Sequence, residues 1–101
     1  MIRVEITEAY GRWIDGVQDN RAIVKITARI QRLSFGNPGD VKPVGDGVSE
    51  MRIDYGPGYR VYFSQQGSIV VILLCGGTKK TQQRDIKEAK QLLTEWRKAK
   101  Q

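Results

Sequence analysis

Apolar and polar residues alternate in three stretches of the chain, at residues 2–6, 48–55 and 59–64. Side chains on a strand point alternately to opposite faces, so this period of two predicts strands with one buried face. Residues 69–75 instead form a continuous apolar run. A strand without a polar side is typical of a sheet that is covered on both faces. We therefore expect this last strand to be central.

Three other stretches place their apolar residues three or four positions apart, which is the spacing of an amphipathic helix. They cover residues 8–17, residues 20–35 and the segment after Thr81, whose side chain can cap a helix. Residues 18–20 offer further capping groups, so the first two helices should form a hairpin. The three apolar stripes are Tyr10, Trp13, Ile14 and Val17; Ile23, Ile26, Ile30 and Leu33; and Ile86, Ala89, Leu92, Leu93 and Trp96.

The remaining segments are turns. Residues 36–47 are rich in glycine, proline and aspartate and predict a loop, and Gly76 and Gly77 are expected to end the last strand. The order β-α-α-β-β-β-α describes an α+β fold with a small sheet backed by helices. The length fits a single domain over residues 1–101. The expected core contains Trp13, Ile26, Ile30, Ile53, Val61, Ile72, Leu93 and Trp96.

A tight turn at residues 56–58 predicts a hairpin with a polar face. Counting outward from Tyr55 and Tyr59, the expected pairs are Asp54 with Arg60, Arg52 with Tyr62, and Glu50 with Ser64. These side chains would share one exposed surface of the sheet. They either form cross-strand ion pairs or bind an anion, because a guanidinium group matches phosphate oxygens in a bidentate geometry.

Charge adds a class of partner. The chain of 101 residues has a formal net charge of +6. Residues 79–101 contain eight basic and three acidic residues, a net charge of +5. Such a basic segment either solubilises the protein or binds a polyanion, which on charge alone is a nucleic acid, an acidic protein or an anionic membrane.

Composition also excludes several kinds of site. There is no histidine and one cysteine, Cys75. Histidine-dependent triads are therefore excluded, and we expect neither a metal site nor another cofactor. No apolar run is long enough to span a membrane, and the N-terminus has no signal core, which favours a cytoplasmic protein without a membrane partner.

Three segments, GDVKPVGDGVSEMR at residues 39–52, YGPGYRVYF at 55–63 and LLCGGTKK at 73–80, resemble the RelE/ParE superfamily of toxins from toxin–antitoxin modules. More narrowly, they resemble the branch of phage-derived addiction-module killer proteins, which are grouped with HigB-like toxins. The resemblance implies a RelE-like microbial RNase-type fold, with a helical hairpin packed on a small, mainly antiparallel twisted sheet. It also implies an endoribonuclease that cleaves mRNA on the ribosome and so inhibits translation.

The implied reaction is the attack of a nucleotide 2′-hydroxyl on its adjacent 3′-phosphate. Two alternatives remain open on the sequence: a ParE-like protein that inhibits DNA gyrase without catalysis, and an inactive binding module with the toxin fold.

The same resemblance assigns roles to individual residues. Arg60 falls on the phosphate-binding arginine of the family, and Lys80 and Arg52 fall near further basic positions of the catalytic site. Ile86 stands where the ribonuclease prototype has a catalytic tyrosine, so Tyr62 is the candidate for a phenol at the site. The residues expected to contact RNA or the ribosome are Lys79, Lys42, Lys87, Lys25 and Arg29.

The partners implied are the ribosome, mRNA and a cognate antitoxin with a helix-turn-helix domain. Operator DNA would be bound only through the antitoxin. We expect the antitoxin either to cover Arg52, Arg60 and Lys80 or to bind the helical side and block entry to the ribosome.

Overall fold

The structure, a computed structural model, describes residues 2–100; Met1 and Gln101 of the predicted domain lie outside the described residues. Its centre is one mixed sheet with the strand order β1-β5-β4-β3-β2. The strands are β1 (Arg3–Ile6), β2 (Val41–Gly45), β3 (Val48–Ile53), β4 (Tyr59–Gln66) and β5 (Val70–Thr78). β1 is parallel to β5, and all other neighbours are antiparallel. The prediction of a central last strand is confirmed, since β5 lies between β1 and β4.

Three helices cover the sheet: α1 (Glu8–Asp15), α2 (Asn20–Ser34) and α3 (Gln82–Ala99). A short 3-10 turn, Lys79–Thr81, precedes α3. The hydroxyl of Thr7 caps α1, and Asp19 caps α2 by accepting hydrogen bonds from the backbone N–H groups of Arg21 and Ala22. The predicted capping in residues 18–20 is thus confirmed. None of the helices within residues 2–100 is long and apolar enough to cross a membrane.

The sheet is buried on both faces, by different helices. On one face, side chains of α1 and α2 pack against the sheet. This cluster consists of Tyr10, Ile26 and Leu33 from the helices and Met51, Ile53, Val61, Phe63, Val71 and Leu73 from the strands. On the other face, Ala89 and Leu93 of α3 pack on the strand residues Val48, Tyr62, Ile72, Leu74 and Cys75. Of the expected core, Trp13, Ile30 and Trp96 are half-buried at the margins of these clusters, and the other five are fully buried.

The loop predicted for residues 36–47 is wrong in its second half, because residues 41–45 form β2. β2 pairs only with β3 and occupies the edge of the sheet. Pro43 is compatible with this position, since an edge strand tolerates the loss of one backbone N–H. Gly45, Asp46 and Gly47 have positive φ angles and form the tight turn into β3. The observed order therefore contains one strand more than the predicted β-α-α-β-β-β-α.

Gly76 and Gly77 do not end β5, which continues to Thr78. The register between β4 and β5 shifts by one residue, so that Leu74 and Cys75 both pack under α3. Beyond this bulge the two glycines face opposite sides of the sheet. A Cβ at Gly76 would overlap the Trp13 ring, and a Cβ at Gly77 would overlap the Asp85 carboxylate. The missing side chains allow α1 and α3 to approach the strand.

Candidate functional site

The hairpin of β3 and β4 has a different register from the predicted one. Arg52 lies opposite Arg60, and Glu50 lies opposite Tyr62. The predicted pairs are wrong by two residues because the turn is longer than Gly56–Gly58: pairing begins at Ile53 and Tyr59. Asp54 consequently lies in the turn, exposed to solvent, and is not a strand partner of Arg60.

A buried carboxylate is the centre of the polar face. The side chain of Glu50 is 0% exposed. Its Oε1 accepts a hydrogen bond from Arg52 Nε at 3.0 Å, and its Oε2 accepts bonds from the Tyr62 hydroxyl at 3.0 Å and from Gln82 Nε2 at 2.7 Å. Burial raises the pKa of Glu50, but the hydrogen bonds from Gln82, Arg52 and Tyr62 outweigh it and leave this pKa below its usual value. The group is therefore ionised at neutral pH.

Arg60 is not the outward-facing side chain that the alternation predicted. Its side chain is only 11% exposed. Its Nη1 donates to the carbonyl oxygens of Gly58 at 3.2 Å and of Tyr59 at 3.3 Å. Its Nε lies 3.8 Å from Glu50 Oε2 and makes no hydrogen bond within residues 2–100. The guanidinium is held at the start of β4, beside the turn.

An open cleft of about 360 Å³ lies next to these arginines; we call it the arginine cleft. Its lining residues are Asp40, Arg52, Ile53, Asp54, Gly56, Pro57, Gly58, Arg60 and Lys79. Lys79 is held there because its backbone N–H donates to the carbonyl oxygen of Gly58 at 2.8 Å. Three cationic side chains, from β3, from β4 and from the 3-10 turn that follows β5, thus converge on one cleft, which two aspartates also line.

Lys80 is placed outside the arginine cleft. It is exposed and lines a neighbouring open hollow of about 540 Å³, formed by residues 79–84. Lys79 borders both cavities. Lys79 therefore joins the two cavities.

Tyr62 is buried, and its predicted exposure is wrong. Its side chain belongs to the cluster under α3, with 0% exposed surface. Burial and the adjacent Glu50 charge raise the pKa of Tyr62. Because its hydroxyl already donates to Glu50, Tyr62 supports the carboxylate and is not presented to a ligand in the cleft.

Arg29 connects elements of the backbone. From α2 its guanidinium donates to the carbonyl oxygens of Arg52, Pro38 and Asp40. These hydrogen bonds link the loop before β2 and the end of β3 to α2. The Arg29 guanidinium, predicted as an RNA contact, is thus engaged with backbone carbonyl groups and does not line the arginine cleft.

The other predicted RNA contacts are spread over the surface. Lys25 lies on α2, with its Nζ 5.3 Å from the centre of the Tyr55 ring. Lys42 is exposed on the edge strand β2, and Lys87 is exposed on α3. None of these three lines the arginine cleft, so any contact they make with RNA lies outside it.

The local sequence pattern predicts neither the burial of Glu50 nor its contact with Gln82. The available signal was the alternation itself, which places residues 50 and 52 on the same face as residues 60 and 62. The error of two residues in the register then paired Glu50 with Ser64 and separated it from the arginines. Gln82 reaches the site from α3, a contact between residues 32 positions apart.

The arrangement suits an anion. Guanidinium groups bind phosphate through paired, charge-assisted hydrogen bonds. Residues 2–100 contain no cluster of three acidic or cysteine side chains that could hold a metal ion. The cationic side chains that line the arginine cleft are Arg52, Arg60 and Lys79.

The chain is similar to known sequences over nearly its whole length. The profile of one family, described as phage-derived protein Gp49-like (DUF891), matches residues 12–95. An uncharacterized protein of Haemophilus influenzae strain Rd is 52% identical over 94 residues, which are 93% of this chain and 95% of that protein. The family match includes every residue that lines the arginine cleft.

Proposed function

Because the chain belongs to the Gp49-like phage-derived family, a RelE-like toxin family, we propose that it is the toxin of a toxin–antitoxin module. Its proposed activity is cleavage of mRNA on the ribosome, which stops translation and growth. The helical hairpin on a mixed, mostly antiparallel sheet is compatible with the RelE-like microbial RNase-type fold. The arginine cleft is the observation that carries the proposal.

In the proposed reaction a ribose 2′-hydroxyl attacks the adjacent phosphorus. The bond from phosphorus to the 5′-oxygen of the next nucleotide breaks, giving a cyclic phosphate and a free 5′-hydroxyl. Negative charge builds up on the phosphate oxygens in the transition state. Donors fixed in advance at that place lower the barrier. Arg52 and Arg60 are the proposed donors, and Lys79 contacts the same or the next phosphate.

The experiment is induction of the protein in growing cells, followed by mapping of new RNA ends. We expect growth arrest and new ends within translated messages. Arg60→Ala should abolish both, since loss of a charge-stabilising donor typically costs about 10²–10³ in rate. Arg3→Ala is the matched control, because Arg3 is 67% exposed on β1, at the opposite end of β5 from Lys79.

Other outcomes would contradict the proposal. Double-strand breaks in DNA without new RNA ends would indicate a gyrase inhibitor. A folded Arg60→Ala variant that arrests growth like the parent would remove the arginine cleft from the activity.

We further propose that a cognate antitoxin binds this protein. The formal net charge of +6 favours an acidic partner surface, and such a pair associates at a rate that falls with salt. Co-expression with the neighbouring gene should rescue growth and yield a complex that co-purifies. Failure of both would contradict the toxin assignment.

A further inference from the structure

Glu50 lies between two arginines that face each other across β3 and β4. Arg52 and Arg60 are direct partners in the register, and like charges placed opposite each other destabilise an antiparallel pair. Glu50 Oε1 is 3.0 Å from Arg52 Nε, and Oε2 is 3.8 Å from Arg60 Nε. One carboxylate therefore neutralises part of the repulsion and contacts both guanidinium groups on their Nε side.

Contact through Nε determines which nitrogen atoms remain for a ligand. Within residues 2–100 the terminal nitrogens of Arg52 make no hydrogen bond, while Arg60 uses Nη1 on the backbone beside the turn. Both side chains line the arginine cleft. Since Arg60 Nε is buried without a hydrogen-bond partner in the described residues, the nearby charge of Glu50 is its main compensation.

The carboxylate is itself held in place. Tyr62 from β4 and Gln82 from α3 both donate to Oε2, and the side chain is completely buried. With these acceptor sites occupied and no exposure to solvent, Glu50 is not free to bind a ligand directly. Its effect on the cleft is transmitted through the arginines.

We propose that Glu50 is a positioning residue, which orients Arg52 and Arg60 so that both present N–H groups to one phosphate in the arginine cleft. The identification of that phosphate as RNA rests on the proposed function. The positioning role does not, because it concerns any phosphate that enters the cleft.

Replacing Glu50 by glutamine separates two opposing effects. Removal of a negative charge near the cleft would tighten phosphate binding if Coulomb attraction alone mattered. Loss of positioning would weaken it, because the two guanidinium groups would repel each other and turn toward solvent. The direction of the change in affinity therefore decides between the two effects.

The test is a titration of the 101-residue protein with inorganic phosphate, followed by NMR of the arginine Nε–H groups. We compare the parent, Glu50→Gln and the control Glu95→Gln, which removes a charge from an exposed position on α3. In Glu50→Gln we expect the Arg52 Nε–H signal to shift and exchange faster with water. The affinity of the Glu50→Gln variant for phosphate should fall roughly tenfold, which corresponds to the loss of one charge-assisted hydrogen bond. Glu95→Gln should behave like the parent. Equal or tighter phosphate binding by Glu50→Gln would overturn the proposal.

A second variant keeps the test decisive if Glu50→Gln does not fold. Gln82→Ala removes one hydrogen bond to Oε2 from the half-buried first residue of α3. A smaller loss of phosphate affinity, with a shifted Arg52 signal, is expected; an unchanged signal and affinity would refute the positioning role.

The two proposals fail in different ways. If phosphate binds through the arginines and depends on Glu50, but induced cells keep intact mRNA, the proposed function is refuted and the positioning role stands. If mRNA is cleaved and Glu50→Gln cleaves it as fast as the parent, the positioning role is refuted.

Discussion

Among the glycines, Gly77 leaves the least space for a side chain. A Cβ there would overlap the carboxylate of Asp85 and approach the hydroxyl of Thr81, which donates to that carboxylate. Asp85 is itself buried on α3. The strand and the helix thus meet without an intervening side chain, and the first turn of α3 is fixed relative to Lys79.

We predict that Gly77→Ala lowers the free energy of unfolding by about 1–3 kcal/mol, because the helix must move away from the strand. Gly16→Ala is the control. Gly16 has a φ of −85°, and a methyl group added there would meet its neighbours at ordinary contact distances, so the effect should be within about 1 kcal/mol of zero. Urea denaturation measures both. Equal stability of Gly77→Ala and the parent would contradict the tight packing of α3 on β5.

Tyr10 provides a prediction about pH. Burial raises the pKa of Tyr10 to about 12, against about 10 for an unfolded tyrosine. Its contribution to stability is complete below pH 10 and is lost as the pH rises from 10 to 12, because only the unfolded chain ionises there.

The variant Tyr10→Phe has no such proton. The difference in unfolding free energy between parent and variant should therefore fall over this pH interval, while contributions from other groups cancel. Urea denaturation of both proteins at pH 9, 10 and 11 provides the measurement. A difference that stays constant would mean that Tyr10 is not buried as described.

The face of the sheet on which a side chain lies was predictable from the sequence, because it depends on the local alternation of residues. The alternation of β3 and β4 correctly placed residues 50, 52, 60 and 62 on one face. It did not show that α3 covers part of this face, which turns the predicted exposed Tyr62 into a core residue. That outcome depends on long-range packing, for which the local period contains no information.

At the level of elements, β5 supports both cores. Its residues alternate between the helical hairpin and α3, with Ile72 fully buried on the α3 side. We predict that Ile72→Ala lowers the free energy of unfolding by about 2–5 kcal/mol, through lost burial and the cavity that remains.

The neighbouring Ile69→Ala is a matched control. Ile69 is 65% exposed just before β5, so the same truncation should change stability by less than about 0.5 kcal/mol. Similar losses in both variants would contradict the central place of β5.

Element prediction succeeded for long periodic segments and failed at irregular ones. The helices and the central strand follow from apolar spacing. β2 was missed because Gly45 and Pro43 are turn formers, although both fit an edge strand. The bulge at Leu74 and the five-residue turn from Asp54 to Gly58 depend on backbone geometry that a count of apolar positions does not record.

For the whole molecule, charge makes a prediction about salt. Three cations line the arginine cleft, namely Arg52, Arg60 and Lys79. If Arg52 and Arg60 together neutralise one phosphate and Lys79 neutralises the next, the logarithm of the affinity for single-stranded RNA should fall with the logarithm of salt concentration with a slope of about −1.4.

Lys79→Gln should reduce this slope by about 0.7. Lys98→Gln should leave it unchanged, because Lys98 lies on the last turn of α3, about 24 Å along the helix from its start. Fluorescence anisotropy of a labelled oligonucleotide at several salt concentrations measures all three proteins. Equal slopes would place RNA elsewhere on the basic surface.

The parallel pairing of β1 with β5 determines when the sheet can be completed during synthesis of the chain. Arg3 and Ile6 pair with Val70 and Leu73. The strand β1 therefore cannot pair until β5 has been synthesised. At about 5–20 residues per second, the interval between Ile6 and Thr78 is roughly 4–14 s. Lys79 is added later still. A ribosome that makes this chain therefore cannot carry the complete sheet or the arginine cleft before it has added Thr78 and Lys79.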